Sequence, residues 1–223
     1  MAATVSLGFW QLGRAQQKLA RQASIEQRKA MAPVGQQVLL EGQPLADIVY
    51  RPIVLRGTWL ARYTVFLDNR QMDGKVGFYV VTPLQLEGSA RAVLVERGWV
   101  QRNFLEREKL PPVTTPAGVI ELHGRIAPAP AKLYDFDGAP AGPIRQNLDL
   151  AQWRAETGLA LLDATVQQTG QPSDGLLRDW PAAGSGAEKN YGYAFQWWAL
   201  SGLIAILYAW FQFIAPSRKA THA

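Results

Sequence analysis

The stretch YGYAFQWWALSGLIAILYAWFQFI, Tyr191 to Ile214, runs twenty-four residues without a charge and is followed by Pro216, Arg218 and Lys219. At about 1.5 Å per residue a helix of this length covers roughly 36 Å, more than the ~30 Å hydrocarbon core of a bilayer. Tyr191, Tyr193, Trp197 and Trp198 crowd one end, and Tyr208 and Trp210 the other. Amphipathic rings rest at these two depths among lipid headgroups. The segment therefore reads as a transmembrane helix over residues 190–215, with 216–223 a short tail.

The first thirteen residues, MAATVSLGFWQLG, are also apolar, but span only about 20 Å as a helix and are too short to cross alone. The charges at Arg14 and Lys18 follow the apolar run instead of preceding it, which argues against a secretory signal. Residues 1–13 are expected to be the C-terminal part of a first transmembrane helix whose beginning lies upstream of Met1. Residues 14–32, rich in Gln, Ala, Lys and Arg, continue that helix until Pro33 stops it. Arg218 and Lys219 place the C-terminus in the cytoplasm by the positive-inside rule, and the large domain on the outer face of a cell inner membrane. Ser201, Ala205 and Ala209, four residues apart, form a strip of small side chains against which another helix can pack. The first span, through Gly8, is the expected partner.

Between the two helices the pattern changes to short β runs punctuated by Gly and Pro, over residues 33–187. Strands are expected at Tyr50–Trp59, Ala61–Leu67, Gly77–Thr82 (ended by Pro83), Ala92–Val100, Val119–Ile126, Leu161–Gln167 and Leu176–Trp180. Asp68-Asn69-Arg70 to Gly74 reads as a hairpin turn. Asn147–Gly158 reads as the internal helix, with Asp149 at its N-cap and Gly158 as its stop. Leu110–Gly118, Ala127–Ala141 and Ala182–Ala187 read as loops, the last a linker into the membrane. The fold class is thus membrane-anchored α+β: two transmembrane helices, the first truncated, flanking a mainly antiparallel β domain with one short helix.

Composition excludes several chemistries. There is no cysteine, hence no disulfide, thiolate metal site or cysteine nucleophile. With only two histidines, His123 and His222, a His-based triad or two-His metal site is not supported. Asp68, Asp73, Asp135 and Asp137 lie in ordinary turn sequences, and Gly184-Ser185-Gly186 lacks the strand and helix that a phosphate cradle requires. The net charge of +5 reads as a solvated face near anionic headgroups, with no interleaved basic and aromatic motif for nucleic acid. No enzymatic role is expected.

Five ordered segments carry a resemblance: GFWQLGRAQQK at Gly8–Lys18, YRPIVLRGTW at Tyr50–Trp59, GFYVVTPL at Gly77–Leu84, VLVERGWV at Val93–Val100 and YAFQWWAL at Tyr193–Leu200. Together they resemble the Surfeit locus 1 family of cytochrome c oxidase assembly factors, across essentially the whole chain. The resemblance implies a two-span inner-membrane protein with a periplasmic domain, acting in oxidase biogenesis and handling heme a for subunit I. Subunit I, the heme a biosynthesis enzymes and the lipid bilayer are the implied partners. It also implies a site at the outer end of the last span. The family often has a histidine, a candidate axial heme ligand, where this chain has Asn190, and asparagine is a poor iron ligand. Recurring at three- to four-residue spacing, Asn190, Tyr193 and Gln196 or Trp197 are expected to share one helix face, with Tyr193 and Gln196 hydrogen-bonding a propionate or formyl group and Trp197 packing against the macrocycle. The alternative is a membrane-tethered scaffold that binds oxidase subunits and never touches heme, with Tyr193 and Trp197 as interfacial anchors.

Overall fold

The computed structural model describes residues 1–106, 109–128, 142–181 and 184–214. Asp135, Asp137, Arg218, Lys219 and His222, and most of the expected Ala127–Ala141 loop, lie outside them. The chain divides into two compact units, one of residues 27–182 and the other combining Met1–Glu26 with the C-terminal region from residue 183. In order come α1 (Ala2–Lys29), β1 (Val34–Gly35), the one-turn helices α2 (Gln37–Leu40) and α3 (Leu45–Ile48), β2 (Pro52–Trp59), a 3₁₀ turn (Ala61–Tyr63), β3 (Val65–Met72), β4 (Lys75–Leu86), β5 (Ala92–Gln101), β6 (Val119–Ala127), β7 (Ile144–Arg145), α4 (Leu150–Thr157), β8 (Leu161–Gln168) and α5 (Ala187–Ala209). The last helix continues as a wider π turn over Trp210–Ile214.

The strands hydrogen-bond in the order β1-β2-β6-β8-β5-β4-β3-β7, and β2 pairs with β4 as well. That extra pairing closes β2, β6, β8, β5 and β4 into a five-stranded barrel. Pairing is mostly antiparallel, with parallel ladders at β1–β2, β3–β7 and β5–β8. Side chains alternate across each strand, so every second residue points inward. Ile53, Leu55 and Trp59 of β2, Leu84 and Leu86 of β4, Val93 and Val95 of β5, Leu122 and Ile126 of β6, and Leu162, Ala164 and Val166 of β8 fill the interior. Each large aliphatic among them contributes about 2 kcal/mol relative to exposure. Two further clusters lie outside the barrel, one where α4 seats Trp153 against Val65, Leu67, Val81 and Leu94, the other uniting Phe66, Phe78, Val80 and Leu176.

Gly57 sits at the closure. It pairs with Ile120 on one side and Leu86 on the other, and a Cβ here would collide with the carbonyl oxygen of Gln85. A strand that bends to meet two partners needs such a position.

Four elements differ from the sequence expectation. The hairpin turn expected over Asp68–Gly74 is confined to the end of that stretch, and Asp68-Asn69 instead forms a bulge within β3, where the register shifts between Leu67 and Arg70 and Asn69 takes φ +59°. The turn falls at Asp73-Gly74, with φ +49° and +73°, the two positive values of a type I′ turn between the paired Met72 and Lys75. Pro83 does not end its strand. Its carbonyl accepts from the Leu60 amide at 2.9 Å, so its nitrogen faces that same side and the ladder to β5 loses nothing. Leu176–Trp180 forms only isolated bridges, Ser173 with Leu176 across the turn at Asp174-Gly175 and Leu177 with Trp99. Leu177 nevertheless exchanges both backbone hydrogen bonds with Trp99, covering the edge of β5 beyond its last partner on β8. The run at Ala61–Leu67 opens with the 3₁₀ turn and becomes strand only from Val65.

The internal helix follows its caps. The Asp149 carboxylate accepts from the Ala151 and Gln152 amides, and Gly158 ends α4 at φ +68°. Gly57→Ala is expected to destabilise the domain by about 3 kcal/mol in chemical denaturation. Gly35→Ala, where a Cβ meets nothing within 4 Å, is expected to leave stability within about 0.5 kcal/mol.

Candidate functional site

In the helical unit, burial recurs by sevens. Ala187, Ala194 and Ser201 are buried on α5, with Asn190 and Trp197 half-buried between them, and Gly8 and Ala15 are buried on α1. This is the seam spacing of two packed helices, with small residues at the contact. Gly8 lies under Trp198, whose ring occupies the space a Cβ would need, and Phe9 meets Trp198 edge-on at 5.5 Å. Further along, Lys18 reaches the start of α5, so the pair is antiparallel.

Asn190 is the polar centre of this seam. Its Nδ2 donates to Gln11 Oε1 at 2.6 Å, and its Oδ1 accepts from Lys18 Nζ at 2.7 Å. The same ammonium donates to the Gly186 carbonyl at 3.3 Å. Both ends of the amide are therefore engaged in joining α1 to α5. Tyr193 and Gln196, one and two turns on, are exposed and turned away from the seam, while Trp197 lies on it. The structure thus groups Asn190 with Trp197 and leaves Tyr193 and Gln196 facing outward. Of the small-residue strip, Ser201 is buried, Ala205 half-buried and Ala209 exposed, and Gly8 meets Trp198 instead of that strip.

Beyond Ser201 the apolar side chains face out: Leu203, Ile206, Leu207, Tyr208, Phe211 and Phe213 are all exposed. Among the described residues one helix, Ala187–Phe213, is long and apolar enough to cross a membrane.

The barrel holds a second concentration of charge, in the VLVERGWV segment. Arg97 follows Val93 and Val95 on the inward face and is fully buried at the barrel end, its guanidinium 4.7 Å over the Trp59 ring. It donates to Thr115 Oγ1 (2.7 Å), the Thr114 carbonyl (2.6 Å) and Asp174 Oδ2 (3.3 Å). Arg178 donates in turn to the Arg97 carbonyl at 2.9 Å, tying the 171–178 loop to β5. Glu96 points the other way and is also buried. Gln167 Nε2 donates to it at 2.8 Å, and Gln167 Oε1 accepts from Arg125. Burial pushes the Glu96 carboxyl up to about 7, against the opposing pull of the Gln167 hydrogen bond and the charges of Arg70 and Arg125. Burial and Glu96 together raise the neighbouring Tyr79 hydroxyl. These residues read from sequence only as strand; two charges inside an apolar run, each bound for a different face, were the available signal.

Asp68 accepts from Arg102 at 3.1 and 3.2 Å, and Asp73 occupies its turn. His123 is exposed on β6, 3.4 Å from Glu121. Ser185 Oγ accepts from the Ala187 amide at the start of α5. Among the described residues no three His, Asp or Glu side chains converge on a metal position. At Asn190 the side chains offer hydrogen bonds and aromatic surface but no strong iron ligand, so they do not fit axial ligation of a heme.

A closed β barrel carried in sequence between two long helices, one of them apolar and long enough for a bilayer, defines an α+β protein of the membrane-helix-bearing kind. The chain belongs to the SURF1 family, whose model matches residues 1–202. It is similar to a SURF1-like protein of Rickettsia felis, 25% identical over 214 residues that cover 92% of this chain and 89% of the relative. It is also similar to a SURF1-like protein of Drosophila melanogaster, 30% identical over 73% of this chain and 59% of the relative. The cytochrome oxidase assembly protein SHY1 of Saccharomyces cerevisiae is 29% identical over 94 residues, 42% of this chain and 24% of its own length. The chain therefore matches less than two thirds of the fly and yeast proteins.

A carboxyl whose folded pKa lies above its unfolded value costs stability once ionised, so its contribution worsens as pH rises from about 4.5 through about 7. Glu96→Gln is expected to melt higher than the parent by a margin that grows between about pH 5 and pH 8, worth up to ~3 kcal/mol. Thermal unfolding of both proteins across that range checks it; a constant margin contradicts it.

Proposed function

We propose that this protein is an assembly factor for cytochrome oxidase, held in the cell inner membrane by α5, with its barrel on the outer face and its C-terminus in the cytoplasm. Family membership carries this reading, and the name of the yeast relative supports the assembly role. The exposed apolar flank of α5 supports the anchoring. Because α1 and α5 pack antiparallel, the end of α1 and the start of α5 lie at the same end of the pair, where the chain leaves for the barrel and returns. Two spans so arranged leave the intervening domain on one side of a bilayer. The positive charge at Arg218 and Lys219 supports the outer side for that domain. The role is non-enzymatic, one of binding and presentation.

The finer reading is assistance to heme a insertion into subunit I, or to its maturation, with heme a as passing cargo and the heme a biosynthesis enzymes as upstream partners. Tyr193 and Gln196 supply outward hydrogen-bonding groups, and Trp197 an aromatic surface. Asn190 supplies no ligand, since both ends of its amide join α1 to α5. That engagement favours a second reading, a membrane-tethered scaffold that contacts oxidase subunits without binding heme.

Purified full-length protein from cells that make heme a is expected to show a Soret band that Tyr193→Phe weakens. Absence of bound heme with oxidase assembly intact would retire heme handling. Deletion of the gene separates the two readings: subunit I present but poor in heme a indicates delivery, whereas loss of subunit I itself indicates scaffolding. Release of the protein from vesicles by carbonate would contradict the anchoring.

A further inference from the structure

Residues 176–180, on the way from β8 to α5, are seated on the barrel domain. Leu177 exchanges backbone hydrogen bonds with Trp99 at 2.7 and 2.8 Å, beyond the last β5–β8 pair, Glu96 with Gln167. Leu176 is buried against Phe66, Phe78 and Val80. Gly98 makes room for this approach, since a Cβ there would stand 2.6 Å from the Leu177 carbonyl oxygen and 2.8 Å from Leu176 Cβ. At the far end the Trp180 indole N–H donates to the Gln168 carbonyl at 2.8 Å, and its ring meets the Tyr79 ring edge-on at 5.1 Å. Gln168 ends β8, Tyr79 belongs to β4, and β5 lies between those two strands in the sheet. The indole therefore lies across β5.

Beside that crossing is a buried carboxyl. Glu96 of β5 stands opposite Val81, two residues from Tyr79, so Glu96 and Tyr79 share a face; on its other side it stands opposite Gln167, the neighbour of Gln168. Four strands direct groups at it: Arg70 from β3, the Tyr79 hydroxyl from β4, Arg125 from β6, and Gln167 from β8, which donates at 2.8 Å. The 176–180 segment adds Arg178, whose guanidinium is turned to the Arg97 carbonyl and Ser173 Oγ, and Asp179, which is exposed. On the α4 side Arg154 pairs with Asp163, and Glu156 with Arg145. Burial is the largest influence on Glu96 and favours its protonated form. Once ionised, the carboxylate gains hydration when its cover lifts.

We propose that residues 176–180 are a proton-controlled latch, seated across β5 while Glu96 is protonated and released when that proton is lost. Release adds these residues to the chain between the barrel domain and α5, about 17 Å of reach when extended. Proton concentration thereby sets how far the barrel domain can travel from its helix. The latch stands on the barrel domain alone and does not rest on the oxidase reading.

Amide hydrogen exchange tests it, read by NMR on the ¹⁵N-labelled full chain in detergent micelles from pH 5 to pH 8, with each rate divided by the intrinsic rate at that pH. The Leu177 amide reports the latch, and the β2–β6 amides report opening of the whole domain. A carboxyl at about 7 in the closed state and near the ordinary 4.5 in the open one favours opening as pH rises between those values and adds nothing above them. Leu177 is therefore expected to open more readily than the β2–β6 amides, with an opening constant that rises about tenfold from pH 5.5 to pH 6.5 and levels off above about pH 7.5. In Glu96→Gln, which keeps the side-chain size and an acceptor for Gln167, that constant is expected to stay flat across the range. Three results each overturn the latch: Leu177 opening that does not vary with pH, a pH dependence that persists in Glu96→Gln, and Leu177 exchanging only together with the β2–β6 amides.

Discussion

The double pairing of β2 is the constraint on which the barrel domain depends. At Gly57 and Thr58 one strand satisfies β6 on one side and β4 on the other, and an eight-stranded ribbon becomes a closed barrel with short extensions. Closure fixes which residues face in. It sends Trp59 and Arg97 to the same barrel end, where the cation stacks on the indole and the 171–178 loop is tied down through Arg178. It equally fixes Glu96 on the outer wall, against Gln167 of the parallel neighbour β8. Two adjacent charged residues thus serve opposite faces of one strand, as period-two alternation demands.

Much of this architecture was legible in the sequence where the determinant is local. Asp149 and Gly158 mark the ends of α4 because a capping carboxylate and a left-handed residue act within a turn. The long uncharged run ending in Ile214 reads as a helix because length and polarity alone decide it. What was not legible depends on distant partners. Pro83 is tolerated inside β4 because the strand changes neighbour there, and the Asp68-Asn69 bulge is visible only against the register of β4. Closure itself leaves a single sequence mark, Gly57, indistinguishable beforehand from any strand glycine. The one-turn helices α2 and α3 and the two-residue strands β1 and β7 are too short to carry a period.

The candidate site divides in the same way. Asn190, Tyr193, Gln196 and Trp197 share one end of α5, as their spacing requires, but which of them the neighbouring helix uses depends on Gln11 and Lys18, more than 170 residues away. The seam takes Asn190 and Trp197, and leaves Tyr193 and Gln196 outward. A polar bridge of this kind ties register to specific donors and acceptors, where small apolar residues alone would allow sliding. The SURF1 family assignment gives these positions their interest, and the geometry supplies a use for asparagine that requires no metal.

Native-state hydrogen exchange on the closing ladder distinguishes a closed barrel from an open sheet. The Leu60 amide donates to the Pro83 carbonyl and the Glu87 amide to the Arg56 carbonyl, one at each end of the β2–β4 contact. A closed barrel predicts that both exchange together with the β2–β6 amides, in one cooperative opening. Rapid exchange of Leu60 and Glu87 while the β2–β6 amides stay protected would show an open sheet and contradict the closure.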